Sequence, residues 1–389
     1  MAIKAGMTYN NGASSVGATQ LNPHAYERKA LIEAREEQYF GQLADVTSMP
    51  KNSGTRIRKY HYMPLLSDEN INDQGIDATG AEIVDGNLYG SSKDIGAIPA
   101  KLPMIGETGG RVNRVGFSRV DIEGTFAKFG FFTEWSNDLM NFDSDADLLT
   151  HINRELLTGA MQITEDALQI DLLTHASTIF FTGSATTPET IDETSTVTYS
   201  DFMKLSIALD NNRTPKQTKV ITGTRMIDTR TLAAARIAYV GSELIPTLEA
   251  MKDLHGERAF VPVHQYAAGA EILKGERGSL GEFRIVVVPN MFKWAGAGAA
   301  STDATFHSTG GNYDVFPILI VGDESFTTIG FQTDGKANKF TTVTRKPGKE
   351  TADRNDPYGE MGFSSIKWWY GFMGLRTERI AVIKTSAKM

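Results

Sequence analysis

DADLLTHINRELLTGAMQITEDALQIDLLTHA, residues 145–176, carries the clearest periodicity in the chain. Leu149, Ile152, Leu156, Ala160, Ile163, Ala167 and Ile170 recur at spacings of three and four, which predicts one helical face turned to a core. Leu148, Leu157, Leu168 and Leu172 widen that stripe. Ser144, with Asp147 three residues on, supplies a capping pattern. The expected helix covers most of 147–174. At 1.5 Å per residue the whole stretch is about 45–50 Å long, several times the usual helix length. Such a helix needs support along its length, from its own sheet or from neighbours.

Upstream, residues 115–133, VGFSRVDIEGTFAKFGFFT, and residues 55–63, TRIRKYHYM, have strand-like composition. Between them, 67–113 is rich in Gly, Asp and Asn and shows little periodicity. The expectation is one extended hairpin interrupted by a loop far longer than the ~15 residues usual in compact domains. Its weak core-forming content suits either a flexible surface insertion or a projecting arm that packs mainly on neighbouring copies. Residues 23–40, PHAYERKALIEAREEQYF, read as a helix with Pro23 in its first turn. Residues 1–22 are small and polar and read as an arm that orders only against something else.

Downstream, a polar loop leads to a short helix at 200–212, with Ser200 as cap and Phe202, Leu205 and Leu209 inward. KVITG at 219–223 reads as a strand and DTRTLAAARIAYV at 228–240 as a helix. RIVVVP at 284–289 and VFPILIVG at 315–322 are near-continuous apolar runs, expected as buried strands. RIAVIKT near the end is a further strand, and no internal repeat is visible.

The 389 residues suit two or three substructures. Charged residues are 22% and hydrophobic residues 41%, the balance of a folded soluble chain. Lys plus Arg is 39 against 47 Asp plus Glu, net −8, so no broad basic surface for nucleic acid is expected. Cysteine is absent, which removes disulfides, thiolate metal sites and cysteine nucleophiles. Neither a secretory leader pattern nor an 18-residue apolar run occurs, so export by a standard signal and membrane spanning are not expected.

Catalytic patterns fail one by one. No HExxH pair joins any of the seven histidines. Asp143, Asp145 and Asp147 resemble the start of a calcium loop, but Leu148 stands where glycine is needed and Arg154 where glutamate is needed. The phosphate-loop and GxSxG patterns are missing, and AGAGAA at 295–300 does not fit a dinucleotide turn. No catalytic, cofactor or metal residue is assigned. Lys51, Arg56, Arg58 and Lys59 cluster beside Tyr60, His61 and Tyr62, which suits a salt-bridging strand at a subunit boundary better than nucleic-acid contact. Trp368, Trp369 and Tyr370 suit core packing or an intersubunit contact.

Three segments carry a resemblance: GSLGEFRIVVVPNM (278–291), YDVFPILIVGDESFTTIGFQ (313–332) and DPYGEMGFSSIKWWYGFMGLRTERIAVI (356–383). They resemble the major capsid proteins of tailed bacteriophages, in the podovirus coat-protein branch. The matching features are Gly281, Glu282 and Arg284 entering a strand; Gly322, Asp323 and Glu324 ending one; and Asp356, Pro357 and Gly359 in a turn before Lys367 and Trp368. TSMPKNSGTRIRKYHYMPL, beginning at residue 47, is similar to that family's entry into its extended loop.

The resemblance implies an α+β fold of the tailed-phage and herpesvirus type, with an N-terminal arm, extended loop, long spine helix, and peripheral and axial domains. The expected divisions are 1–50 for the arm, 51–135 for the extended hairpin and 136–198 for a peripheral domain with the spine helix. Residues 199–335 are expected to be mainly axial, and 336–389 to return to the peripheral domain. The implied function is structural: pentamers and hexamers of an icosahedral shell around double-stranded DNA. No cofactor and no membrane are implied, and contact with the DNA is at most weak. The chain itself is the main partner, with scaffolding, portal and decoration proteins beside it. The implied place is the virion capsid, assembled in the host cytoplasm. Tyr39, Phe40, Arg56, Arg58 and Lys59 are the expected intersubunit contacts, with the arginines meeting acids across the boundary and Asp143–Asp147 among the candidates. A portal or tail-tube protein is the alternative within virions, and an α/β enzyme the alternative outside them.

Overall fold

The computed structural model describes residues 39–43, 45–49, 54, 56–62, 107, 119–142, 148–221, 229–265, 273, 275–331, 340–349, 352 and 354–389. The expected arm at 1–22, most of the helix at 23–40, nearly all of the loop at 67–113, and Asp143–Asp147 lie outside them. Contacts divide the chain into two compact units, Gly54–Thr125 and the remainder.

The smaller unit is built on β2 (Arg56–Tyr62) and β3 (Arg119–Thr125), paired antiparallel from Arg56↔Thr125 to Tyr62↔Arg119. The strand-like run 115–133 therefore splits. Its first part closes this hairpin, and its second part becomes β4 (Ala127–Ser136) of the larger unit.

In the larger unit β1 (Asp45–Met49), β14 (Phe326–Phe331), β16 (Met361–Gly374) and β15 (Phe340–Arg345) follow one another in a five-stranded sheet. β4 joins it along residues 361–370 of β16. A second sheet of eight strands has the order β5 (Thr178–Phe181), β17 (Ile380–Thr385), β13 (Phe316–Val321), β7 (Thr229–Gly241), β10 (Phe283–Val288), β9 (Glu276–Leu280) and β8 (Phe260–Pro262). β6 (Gln217–Ile221) pairs with β7 off that path. A two-residue pair, β11 (Ser308–Thr309) and β12 (Asn312–Tyr313), and the short helices α1 (Asn137–Phe142) and α4 (Ile245–Glu249) complete the described elements beside α2 and α3.

The long helix α2 runs from Leu148 to His175, 28 residues in one piece. At 1.5 Å per residue this is about 42 Å. Its buried line is Leu156, Ala160, Thr164, Leu168 and Leu172, a spacing of four throughout. Leu156 and Ala160 pack on Ile366 and Trp368 of β16, while Leu168 and Leu172 pack on the eight-stranded sheet. One helix thus spans both sheets, which is the support its length requires. Ile163 and Ile170, expected inward, are 49% and 53% exposed. The four-residue line leaves them behind after Ala160, and Thr164 takes the buried place by returning its hydroxyl to Ala160 O at 2.7 Å.

The eight-stranded sheet is covered on both faces. Ala238, Val240, Ile318, Ile320, Ala381 and Ile383 face α3 (Tyr199–Asn211), whose Phe202, Leu205 and Leu209 are buried there. Ile237, Tyr239, Leu319, Val321, Ile380 and Val382 face α2. Double-sided burial explains why these strands read as unbroken apolar runs. It also explains a correction: the stretch expected as a helix at 228–240 is, from Thr229 on, strand β7. Their alanines favour a helix in isolation, but β7 is central, parallel to β10 and antiparallel to β13, and burial on two faces outweighs local propensity. The start of α3 also differs from expectation. Thr198 is the cap, and the Asp201 carboxylate accepts from its backbone N–H at 3.1 Å, whereas Ser200 already lies inside the helix.

Candidate functional site

The hairpin of β2 and β3 shows strict alternation. Arg56, Arg58, Tyr60 and Tyr62 are exposed, and Ile57, Lys59 and His61 are half-buried. Across the ladder, Arg119, Asp121 and Glu123 share the exposed face. Arg56 donates to Glu123 at 2.9 Å and Arg58 at 3.2 Å. The Arg56 hydrogen bond, followed by Arg58, holds the Glu123 carboxyl below the usual carboxylate range. Arg119 pairs with Asp121 at 2.9 Å and lies over the Tyr60 ring at 5.2 Å. Tyr60 and Tyr62 meet edge to face at 5.6 Å. Three arginines, two acids and two tyrosines therefore form one ordered stripe. Both β2 arginines already have a carboxylate within their own hairpin. At 70% side-chain exposure these pairs are solvated and contribute little to folding. Tyr60 and Tyr62, 60% and 51% exposed, are the large amphipathic side chains that interfaces favour.

Residues 39–43 are fixed to α2 and β7 of the larger unit. Glu165 of α2 accepts from Phe40 N and Gly41 N, each at 3.0 Å, one oxygen apiece. Tyr239 donates its hydroxyl to Tyr39 O at 2.9 Å, and its ring lies 4.6 Å from that of Phe40. Burial, then the Glu165 charge, pushes the Tyr239 hydroxyl well above its ordinary pKa, so it stays a donor. Tyr370 donates to Asp171 at 2.7 Å, and burial followed by that bond raises it too. Phe40, expected at a subunit contact, is 3% exposed and has almost nothing left to offer a neighbour. It belongs to its own chain's core, because its ring closes the cluster around Tyr239.

Each resemblance motif has a physical task. Gly281, at φ +59°, closes the two-residue turn between β9 and β10. Glu282 beside it accepts from Arg236 at 2.6 Å, from Lys216 at 2.7 Å and from Ser206. Arg236 is 1% exposed and reaches Asp210 of α3 with its other arm. Arg284 lies 3.7 Å from Glu276. Gly322 ends β13, where a side chain would overlap Thr214 and crowd Arg379 O. Arg379 in turn binds Asp323 O at 3.2 Å and Glu324 at 3.4 Å. Asp356, Pro357 and Gly359 form a turn closed by Gly359 N to Asp356 O at 3.2 Å, and the Asp356 carboxylate takes Met361 N at 2.8 Å to start β16. Within β16 Lys367 points out and Trp368 points into the cluster beneath α2. These residues shape turns and cores; they do not converge on one pocket.

Two important groups escaped the sequence. Arg236 is a lone charge in an apolar run, and that contrast was the available signal. Glu165 borders the buried line of α2, but its partners lie about 125 residues away. Among the described residues, no three His, Asp or Glu side chains are grouped to hold a metal, and no helix is long and apolar enough to cross a membrane.

No family model matches the chain. It is 54% identical over 386 residues to the major capsid protein of Pseudomonas phage KPP21, covering 98% of this chain and 97% of that relative. Among solved structures it is similar to the capsid of Ralstonia phage GP4, with a TM-score of 0.59 and 12% identity over 94% of this chain and 95% of the other. It is similar also to the capsid of cyanophage Pam1, with a TM-score of 0.54 and 12% identity over 97% and 99%. At that identity the structural likeness speaks to the fold, which is the phage capsid fold.

Proposed function

This chain belongs to the phage major capsid proteins, and from that membership we propose that many copies close into an icosahedral shell of pentamers and hexamers around double-stranded DNA. The observation that carries this reading is 54% identity sustained over nearly the whole of both chains. The proposal extends to the podovirus branch, to assembly in the host cytoplasm, and to scaffolding, portal and decoration proteins as further partners. A net charge of −8 suits a container that must not hold its DNA tightly. Weak contacts suffice, because multivalency stabilises the closed state. Electron microscopy of the purified protein tests the reading: closed shells with five-fold and six-fold clusters are expected, and single rings or tubes would refute it.

The arginine–tyrosine stripe of the hairpin, with Arg56, Arg58 and Lys59, is our candidate intersubunit surface, and Tyr39 marks the root of the arm that leads to it in sequence. Its solvated charges make it separable from folding. Arg56→Glu with Arg58→Glu is expected to leave the circular dichroism spectrum unchanged and to yield few or misshapen shells. Normal shells from that variant would show the stripe to be a solvated face.

A further inference from the structure

Ile163, Asp166, Ala167, Ile170 and Thr174 fall within about 100° of one another around α2, at 100° per residue. None of the five is buried, and Ile163 and Ile170 are exposed. From Glu155 to His175 the helix carries Glu155, Glu165, Asp166 and Asp171 and no Lys or Arg. The strip is thus aliphatic with an acidic border, which fits a helix that is aliphatic and basic on one face. Glu165, in the same stretch, holds Phe40 N and Gly41 N. The Tyr39 ring lies over Gly275, where a Cβ would stand 2.6 Å from Tyr39 Cε1. The chain therefore enters the described body beside α2, at the height of Glu165.

Residues 23–38, immediately before that entry, are most of the helix expected from sequence. At 1.5 Å per residue they reach about 24 Å, against about 17 Å for the strip from Ile163 to Thr174. On such a helix Arg28, Leu31, Ile32 and Arg35 share one face within about 100°, while Glu33 and Glu37 fall on the other side. We propose that residues 23–38 lie along the outer strip of α2 in their own chain, with Leu31 and Ile32 over Ile163 and Ile170, and Arg28 and Arg35 facing Asp166 and the acids beside it. Apolar burial drives this contact, and the charges set its register. The attachment at Tyr39–Gly41 makes it intramolecular, so a small patch suffices and a neighbouring copy competes poorly for it. On this assignment only residues 1–22 remain to reach beyond the subunit. The assignment concerns one chain and stands whether or not shells form.

The absence of cysteine gives a clean test, since two introduced thiols are then the only pair in the full-length chain. Leu31→Cys or Ile32→Cys is combined with Ile163→Cys or Ile170→Cys, and a short bis-maleimide adds one thiol across each of its double bonds. The exposed positions on α2 leave its buried line intact. Equal mixtures of ¹⁴N- and ¹⁵N-labelled chains separate links within one chain from links between two. Linked peptides of a single isotope are expected from at least one of the four pairs, and Glu33→Cys with Ile170→Cys should give none. Adding Arg28→Glu and Arg35→Glu should lose the link, and Asp166→Arg in the same chain should bring it back. No link from any pair, links of mixed isotope only, or equal linking from Glu33→Cys would overturn the assignment and leave the capsid reading untouched. A link that survives the arginine reversals would overturn the charge pairing.

Discussion

Replacing Glu282 by Ala is expected to destabilise the subunit by about 3–5 kcal/mol, the range for breaking a buried ion pair from one side. Arg236 is 1% exposed and divides its guanidinium between Glu282 and Asp210, and Asp210 is 64% exposed. Without Glu282, the buried cation keeps the Ser206 hydroxyl at 3.1 Å and a single, solvated carboxylate, and Ser206 and Lys216 lose their acceptor as well. Glu282→Gln should cost less, because an amide oxygen still accepts. The telling comparison is the double variant Arg236→Met with Glu282→Leu, which removes both charges and should recover most of the lost stability. Denaturant unfolding of the four proteins checks this. A single Glu282→Ala cost below about 1 kcal/mol would place the network among solvated surface pairs.

The second large effect concerns α2. Leu156 is 5% exposed and packs on Ile366 and Trp368. Leu156→Ala should cost about 2–5 kcal/mol. Leu156→Asp adds an unpaired charge to the same cluster and should abolish soluble protein. Its neighbour gives an internal control: Leu157 is 40% exposed, so Leu157→Asp should leave a folded subunit with an unchanged helical spectrum. Equal yields of the two aspartate variants would contradict the orientation of the helix. Measurement is by soluble yield and circular dichroism.

The contrast between these neighbours also marks what the sequence could tell. The length and limits of α2 were readable because three- and four-residue spacings persist from Leu149 to Ile170, about six turns. The facing direction was not, because Ile163 and Ile170 satisfy the same spacings as the true line, and only the two sheets beneath choose between them. The helix misread at 228–240 has the same origin: alanine propensity is local, and two of the three partner strands of β7, β10 and β13, lie more than 40 residues downstream. Turn chemistry fared better. Gly281 and the Asp356–Gly359 turn are settled by residues adjacent in sequence, so they could be read directly. Charge partners could not: Glu282 and Arg236 are 46 positions apart.

The sheet orders have a consequence for synthesis. β16 pairs with β4, β14 and β15, and β17 lies between β5 and β13, so each sheet depends on a strand that begins only at Met361 or Ile380. Thr178 waits for Ala381, and Phe129 for Trp368. A chain emerging from the ribosome therefore holds unpaired edges until its final strands are released, and pairings across such separations form slowly. Prematurely terminated chains lack the completing strand of both sheets. Any contact that needs both sheets intact must therefore wait for Met361–Gly374 and Ile380–Thr385 to be made.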